Sequence, residues 1–308
     1  MPIPCPDHVV VILKNHAYSQ IIGNTDAPYI NALMNSELRP GLFTQSYDHY
    51  HRVSRTTSTC TPAATKACSS TSRPVAIPSP PPTLGRNFDR FWVHLGELFE
   101  DLPSIGSDIE TSLAHVRRHN PAANWVGTGT NQIPAATNLP FTAFPSNFDS
   151  LAHRLLVAPT QDYYQAHDMH DGSVTTGDTW VHDNLDAYAA WARTHNSLLI
   201  LTFDEDDGLI ISPNKIVTIF VGEDVVHGQY SNKHQRLPCP SSIEMYGSRP
   251  ICNAAQVTTI RECWAGIAAA DPISRRIRIR IHPNPSHDHP GSGRWDVYEA
   301  RLYNPLAS

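Results

Sequence analysis

"HVVVIL" (residues 8–13) is a nearly unbroken apolar run, and the polar stretch "KNHAYSQ" (residues 14–20) follows it directly. A continuous apolar run of this length is typical of a strand that is buried on both faces of a mainly parallel sheet. "SLLILTF" (residues 197–203) repeats the pattern and ends in "DEDDG" (residues 204–208). Both stretches therefore predict buried strands with polar residues at their carboxyl ends.

The rest of the chain alternates between strand and helix patterns. Strands are predicted at 41–47, 154–159, 215–222 and, as an edge strand, 276–281. Helices are predicted at 27–38, within 113–125 but ending before Pro121, at 176–196 and at 241–247. In the clearest helix, Asp178 is the candidate N-cap, and Leu185, Tyr188, Ala189 and Ala192 recur on one face. The predicted class is α/β, with a mostly parallel central sheet flanked by helices. Such sheets place their chemistry at the carboxyl ends of the strands.

Composition excludes several classes of function. The net charge is −6 and the pI about 6.3, which argues against nucleic acid as a partner because no basic surplus is available to neutralise phosphates. Apolar residues make up 40% of the 308 residues, so a sizeable core is expected. No apolar run is long enough to span a membrane. The sequence contains no C-x-x-C pair, so a zinc site is not expected.

Two polar clusters could carry chemistry. "TFDEDDG" gathers four adjacent carboxylates, including Asp204 and Glu205, and these repel one another unless a cation or solvent relieves them. A divalent metal held by oxygen ligands and a solvated acidic turn are both compatible with this pattern. "HDMHDG" offers His167, Asp168 and His170, a set that can bind a metal or anchor a phosphate, or form a polar turn.

Several long motifs occur in a defined order and cover residues 8–47 and 100–231. They are "HVVVILKNHAYSQIIGNTDAPYINAL", "EDLPSIGSD", "RRHNP", "LPFTAFPSNF", "AHDMHDGSVTTGDTW" and "THNSLLILTFDEDDG". In this order they resemble the bacterial acid phosphatase and phosphoesterase family, which includes phospholipase C-like enzymes and has an alkaline phosphatase-like fold.

The resemblance implies a metal-dependent phosphoester hydrolase in which a Ser or Thr nucleophile forms a phospho-enzyme. Asn15, Asp204 and Glu205 match the family's ligands for a divalent metal ion. His167 and His170 match a His pair near the phosphate, and Asp168 between them is assigned to the same catalytic group. A metal and His side chains lower the pKa of the nucleophile and neutralise charge on phosphoryl oxygens. The implied substrate is a phosphate ester or a phospholipid.

Lys14 is the first departure from the family pattern. The family has Glu immediately before the residue that matches Asn15, and a single base separates Glu and Lys codons. A cation in place of an anionic ligand is expected to weaken metal binding severely.

A second departure removes the expected nucleophile. The family motif T-H-P-S-Q-P-N-Y-L is replaced by the Ser/Thr/Pro-rich stretch at residues 46–82. A shifted reading of the codons for 51–68 permits P-S-Q-P-N-Y-L, and the opposite shift over 90–99 permits S-G-F-T-L-A-S-Y-S. We therefore hypothesise that residues 48–99 are a frameshifted translation that packs poorly. The alternative is a genuine disordered insertion.

Three functions remain open on this evidence. The first is a phosphoester hydrolase that is impaired in the sequence as written, and the second is an inactive relative that binds phosphate or phospholipid head groups. The third is an α/β protein whose acidic clusters are surface turns. The predicted domains are a phosphoesterase domain (residues 1–264) and a tail (265–308). The family is commonly exported, but the sequence shows no export signal.

Overall fold

The computed structural model divides the chain into two compact units, residues 1–267 and 268–308. The residues it describes are 7–47, 96–113, 115–124, 126–128, 133–150, 154–158, 167–170, 172–208, 213–235, 260, 262–265, 277–278 and 299–300. The predicted helix at 241–247 and most of the predicted tail lie outside them.

An eight-stranded sheet forms the centre of the first unit. Its strands are β1 (Asp7–Leu13), β2 (Gly41–Phe43), β4 (Gly96–Phe99), β7 (Asn138–Pro140), β8 (Arg154–Ala158), β9 (Ser197–Phe203), β10 (Thr218–Gly222) and β11 (Gly228–Tyr230). Two-residue strands complete the described part: β3 (Ser46–Tyr47), β5 (Thr111–Ser112), β6 (His115–Val116), β12 (His234–Gln235), and the antiparallel pair β13 (Ile277–Arg278) and β14 (Glu299–Ala300) of the second unit.

The large sheet is mixed. The strand order is β11-β2-β10-β9-β1-β8-β4-β7. Five of its seven pairings are parallel, and β10 runs antiparallel to both of its neighbours. The α/β class predicted from the sequence is confirmed. Because β9, β1, β8, β4 and β7 all run in one direction, their carboxyl ends share one edge of the sheet.

Four α-helices occur in the described residues. They are α1 (Tyr18–Ile21), α2 (Pro28–Leu33), α3 (Pro121–Asn124) and α4 (Val174–Ala192). Short 3-10 turns lie at Arg117–His119, Ala135–Thr137, Phe141–Ala143 and Phe148–Ser150. Helix α4 packs its predicted apolar face into the core, where Leu185, Tyr188, Ala189 and Ala192 are fully buried.

The predicted N-cap of α4 is wrong, and the reason is a contact between helices. Ser173 caps α4 by accepting a hydrogen bond from the Thr176 backbone N–H. Asp178 lies within α4, and its carboxylate accepts the backbone N–H groups of Tyr29 and Ile30, each at 2.8 Å. Asp178 therefore caps the first turn of α2, whose orphan N–H groups need an acceptor.

The predicted helix at 113–125 is also wrong. The segment contains strand β6, a 3-10 turn and helix α3, which begins at Pro121 where the prediction ended. Proline is tolerated at the first position of a helix because that N–H has no partner within the helix. Asn120 before it is extended (φ −108°, ψ 96°), as a residue that precedes proline prefers to be.

Strand β4 consists of the last four residues of the 48–99 stretch. All four residues of β4 are buried, and the strand pairs with β8 on one side and β7 on the other. This packing contrasts with the poor packing predicted for the stretch as a whole. Residues 48–95 lie outside the described part of the chain.

Candidate active site

The carboxyl ends of β1 and β9 bring two of the predicted polar clusters together. These strands pair in parallel with Leu13 opposite Phe203. Lys14 and Asn15 therefore leave the sheet beside Asp204 and Glu205. The backbone N–H of Asp204 donates to the Leu13 carbonyl at 3.0 Å, which continues the pairing to the start of the acidic run.

Four side chains form what we call the strand-end cluster: Lys14, Asn15, Asp204 and Glu205. The Lys14 ammonium forms an ion pair with Asp204 Oδ2 at 3.1 Å. The Asn15 backbone N–H donates to Asp204 Oδ1 at 3.2 Å, and Asn15 Nδ2 donates to Glu205 Oε1 at 3.2 Å. Asn15 is therefore hydrogen-bonded to both of these carboxylates.

Backbone geometry places Asn15 for both contacts. Its φ of 44° lies in the left-handed region, which asparagine tolerates better than most residues do. This turn directs the Asn15 N–H towards Asp204 while its amide reaches Glu205.

Lys14 has a second partner that the sequence analysis did not identify. Its ammonium lies 3.1 Å from Nδ1 of His119, which follows β6 in a 3-10 turn. Because lysine only donates, this ring nitrogen accepts the bond. Lys14 is 1% exposed and His119 7% exposed, so the pair is shielded from solvent.

The segment from His167 to His170 packs against the end of β1. The backbone N–H of Lys14 donates to the Asp168 carbonyl at 2.7 Å, and His16 Nε2 contacts the Met169 carbonyl at 2.9 Å. Met169 has a φ of 76°, so the segment turns sharply at this residue. Asp168 is fully buried, and its Oδ1 accepts the His170 N–H at 3.0 Å.

Burial raises the pKa of the Asp168 carboxyl to about 6, although the neighbouring Lys14 charge acts in the opposite direction. No described residue donates a hydrogen bond to Asp168 Oδ2. His170 is exposed. The three residues predicted as catalytic therefore differ in their exposure to solvent. Asp168 is buried, His170 is exposed, and His167 is partly exposed.

His167 belongs to a second group, the His167 cluster, which also contains Glu100 and Trp180. His167 Nδ1 lies 3.0 Å from Glu100 Oε2, and the Trp180 indole N–H donates to Glu100 Oε1 at 2.6 Å. The His167 and Trp180 rings stack at 24° with centroids 6.3 Å apart. The hydrogen bond to Glu100 raises the pKa of His167, although partial burial opposes the shift. About a third of the His167 side chain is exposed.

Glu100 and His119 are the residues that the sequence analysis missed. Glu100 follows β4 directly, and it begins the "EDLPS" motif; His119 lies in "RRHNP". Both motifs contributed to the resemblance, but neither residue was given a role. Glu100 could have been recognised as a polar residue at the carboxyl end of a strand. No strand was predicted there, because residues 96–99 fell within the suspected frameshift.

The strand-end cluster lacks the donor arrangement of a divalent metal site. Among the described residues, no three His, Cys, Asp or Glu side chains are arranged to hold a metal ion. The Lys14 ammonium already contacts Asp204, the central predicted ligand. Two unit charges 4 Å apart repel by roughly 4 kcal/mol at an effective dielectric constant of 20, and a divalent ion doubles that repulsion. With Lys14 in this position, the residues present do not fit a divalent metal.

Comparisons with known proteins first establish the class. The fold resembles the crystal structure of an alkaline phosphatase superfamily protein from Vibrio parahaemolyticus, with a TM-score of 0.51, 12% identity, and coverage of 80% of this chain and 68% of that protein. At this identity the likeness concerns the fold alone. The chain therefore has a fold like that of this alkaline phosphatase superfamily protein.

The family follows from the sequence comparisons. The Phosphoesterase family matches residues 62–240. A phosphatidylinositol-3-phosphatase of Mycobacterium tuberculosis is 32% identical over 266 residues, which are 85% of this chain and 84% of the relative. A phosphate-repressible acid phosphatase of Penicillium chrysogenum is 28% identical over 154 residues, 47% of this chain and 36% of the relative. The chain belongs to the Phosphoesterase family, and by this resemblance it is a phosphoric ester hydrolase.

Proposed function

We propose that this chain carries a phosphoester hydrolase site of the metal-dependent, phospho-enzyme type, and that the site is impaired in the sequence as written. One observation carries the proposal: the C-terminal ends of β1 and β9 bring Asn15, Asp204 and Glu205 into mutual hydrogen-bonding contact. In an α/β sheet this edge is where ligands bind. Membership of the Phosphoesterase family supplies the type of reaction.

His167 is proposed to act on the phosphoryl group. Its Nδ1 is engaged by Glu100, which leaves Nε2 for a phosphoryl oxygen or a leaving-group oxygen. Glu100 fixes the ring and raises the pKa of His167, so the cationic form that attracts phosphate is favoured. Asn15 and the exposed His170 are proposed to supply further polar contacts to the substrate, while buried Asp168 holds the turn between the two histidines.

The impairment has two proposed causes. Lys14 stands where the family has an anionic ligand, and its ammonium pairs with Asp204. The nucleophile motif is missing from 48–99, which we propose to be a frameshifted segment with boundaries still to be located by sequencing. The family match begins at residue 62, within this segment. We expect the chain as written to be weakly active or inactive.

The substrate class is proposed to be a phosphate monoester, and a phosphoinositide is the first natural candidate. The Mycobacterium tuberculosis relative, whose name specifies such a lipid, covers most of the chain and supports this choice. None of the described helices is both long and apolar enough to cross a membrane.

A second function is favoured by a specific observation, the Lys14–Asp204 ion pair. If that ion pair prevents hydrolysis of phosphate esters at the site, the chain is an inactive relative. It would then bind phosphate or phospholipid head groups through Asn15, His167 and His170. Inorganic phosphate would then bind without hydrolysis of any ester. This binding is expected to weaken as the pH rises through the His167 pKa, because the cationic ring is lost.

Two chains separate these functions. The wild type and a repaired chain, with the reading frame of 48–99 restored and Lys14→Glu introduced, are assayed with p-nitrophenyl phosphate in the presence of Mn²⁺, and phosphate binding is measured by calorimetry. Turnover by the repaired chain, at a rate at least 100-fold above the wild type, supports the hydrolase. Phosphate binding by the wild type with no turnover by either chain supports the binding protein. No turnover and no binding by either chain would contradict both.

A further inference from the structure

We propose that the Lys14 ammonium is a fixed internal cation that takes the place of a divalent metal in the strand-end cluster. The chain then holds this cluster together without metal. The inference rests on the location of the proposed active site, but it does not require turnover. It concerns what occupies the site and how the site is stabilised.

The contacts of Lys14 are those of a structural cation. Its ammonium is held by Asp204 Oδ2 and by His119 Nδ1, both at 3.1 Å, and the residue is 1% exposed. Buried ammonium groups require a counter-charge and hydrogen-bond acceptors. Asp204 supplies the charge, and His119 supplies a neutral acceptor from a different part of the chain.

Both oxygens of Asp204 are already used. Oδ1 accepts the backbone N–H groups of Asn15 and Glu205 at 3.2 and 2.9 Å, and Oδ2 accepts from Lys14. Asp204 is 2% exposed. A metal ion that used Asp204 would therefore have to displace Lys14 from its ion pair and move a buried ammonium away from this carboxylate.

The same arrangement explains how adjacent carboxylates are tolerated. Asp204 and Glu205 are both buried, at 2% and 4% exposure. Lys14 neutralises the first, and the Asn15 amide donates to the second. In a metal site the ion itself relieves this repulsion. Here side chains of the chain provide the relief.

Reversal of one charge should convert the cluster into a metal site. The Lys14→Glu variant would remove the ammonium and add a third carboxylate. Asn15 Oδ1 accepts no hydrogen bond from a described residue, so it remains available as an oxygen donor. Carboxylate and amide oxygens suit hard cations such as Mn²⁺.

The experiment compares wild type, Lys14→Glu and Lys14→Met. Mn²⁺ binding is followed by electron paramagnetic resonance, and thermal unfolding is recorded with Mn²⁺ or with EDTA. We expect no Mn²⁺ binding and no metal-dependent change in Tm for the wild type. Lys14→Glu should bind Mn²⁺, and at 100 times the Kd its Tm should rise by roughly 5–10 °C. Lys14→Met should have a lowered Tm in both conditions, because it loses the cation without gaining a ligand.

Two outcomes overturn the proposal. One is stoichiometric Mn²⁺ binding by the wild type that disappears in the Asp204→Asn/Glu205→Gln double variant. The other is a folded Lys14→Glu protein with no response to Mn²⁺. If Lys14→Glu does not fold, Lys14→Gln replaces it, since it removes the ammonium and offers an amide oxygen. Mn²⁺ binding by that variant and not by the wild type supports the proposal, and identical behaviour of the two overturns it.

Failure of this proposal is distinguishable from failure of the proposed hydrolase. The readouts are metal binding and stability, and neither depends on a nucleophile or on a substrate. A chain that hydrolyses no ester can still show the expected pattern across the three proteins. Conversely, a wild type that binds Mn²⁺ would overturn the internal cation and leave the hydrolase standing.

Discussion

The strand-end cluster and the His167 cluster lie at the same edge of the sheet, yet they differ in how their charges are satisfied. In the first, Lys14 and Asp204 form a buried ion pair that is closed to solvent. In the second, Glu100 holds one nitrogen of His167, and about a third of the His167 side chain remains exposed. In the strand-end cluster, the charged groups are paired with each other, whereas the His167 cluster presents a polar side chain to solvent.

The two clusters show that the fold can bring polar residues to the same edge of the sheet while their charges are satisfied in different ways. The His167 cluster presents a partly exposed ring that we propose to act on a phosphoryl group. In the strand-end cluster, Lys14 and Asp204 neutralise each other within the chain. Placement of residues by a fold therefore does not guarantee the chemistry of the site.

Lys14→Met should have the largest effect on stability and would break the first cluster. Removal of one partner from a buried ion pair typically costs about 3–5 kcal/mol, because the remaining charge is left buried. We expect a loss of this size in the free energy of unfolding, measured in urea. Lys233→Met is the control, since the Lys233 ammonium lies over the Tyr47 ring at an exposed position. Equal losses in the two variants would contradict the distinction between buried and exposed lysines.

Asp168→Asn tests the residue that packs between the two clusters. The folded-state pKa of about 6 lies above the ordinary aspartate value of 3.8, so Asp168 contributes stability at low pH that is lost as the pH rises through 6. The difference of about two pKa units corresponds to roughly 3 kcal/mol. Lys14, Asp204 and His170 are the charged or titratable groups that act on Asp168.

The measurement for Asp168 is urea unfolding of wild type and variant at pH 4 and pH 7.5. The wild type should lose stability relative to Asp168→Asn at the higher pH, because the variant buries no charge at position 168. Titrating groups that do not interact with Asp168 cancel in the comparison. Parallel pH dependences of the two proteins would show that burial of the Asp168 carboxylate has no such cost.

Gly177→Ala should disturb the turn that carries His167. A Cβ at this position of α4 would lie 2.7 Å from the His167 carbonyl oxygen and 2.9 Å from Met169 Cε. Overpacking of this kind typically costs about 1–3 kcal/mol. Gly228→Ala is the control, because its Cβ would lie 3.7 Å from the Tyr230 hydroxyl oxygen and 3.8 Å from Tyr230 Cζ, which are ordinary van der Waals contacts. Unchanged stability in Gly177→Ala would show that the turn does not pack on α4 as described.

Glu100→Gln should have the smallest effect on stability, and it sharpens the account of the second cluster. The amide can still accept the Trp180 N–H, but it removes the charge that favours cationic His167. We expect the His167 pKa to fall, as measured by NMR titration, while the free energy of unfolding changes by about 1 kcal/mol or less. The exposed Glu110→Gln is the control. A His167 titration that does not move would remove Glu100 from the site.

The sequence alone was sufficient to predict the main strands and the helix that surround the candidate site. The apolar runs of β1 and β9 and the face of α4 were recognisable because burial leaves a clear pattern in a chain. The grouping of Asn15 with Asp204 and Glu205 came from the resemblance, and the parallel register of the two strands explains it.

Contacts between distant segments were not recognisable from the sequence. His119 meets Lys14 across 105 positions, and Asp178 caps α2 across nearly 150. The neighbouring sequence does not reveal such pairs, because the same residue types are equally typical of turns and helix caps. The segment around Pro121 was predicted wrongly because proline is compatible with either end of a helix boundary.

A crystal structure of the wild type grown with Mn²⁺, with anomalous scattering recorded at the manganese edge, tests the central claim most directly. The account predicts no anomalous peak at the strand-end cluster and Lys14 Nζ within hydrogen-bond distance of Asp204 and His119. A manganese peak bound by Asp204 and Glu205, with Lys14 turned away, would contradict it.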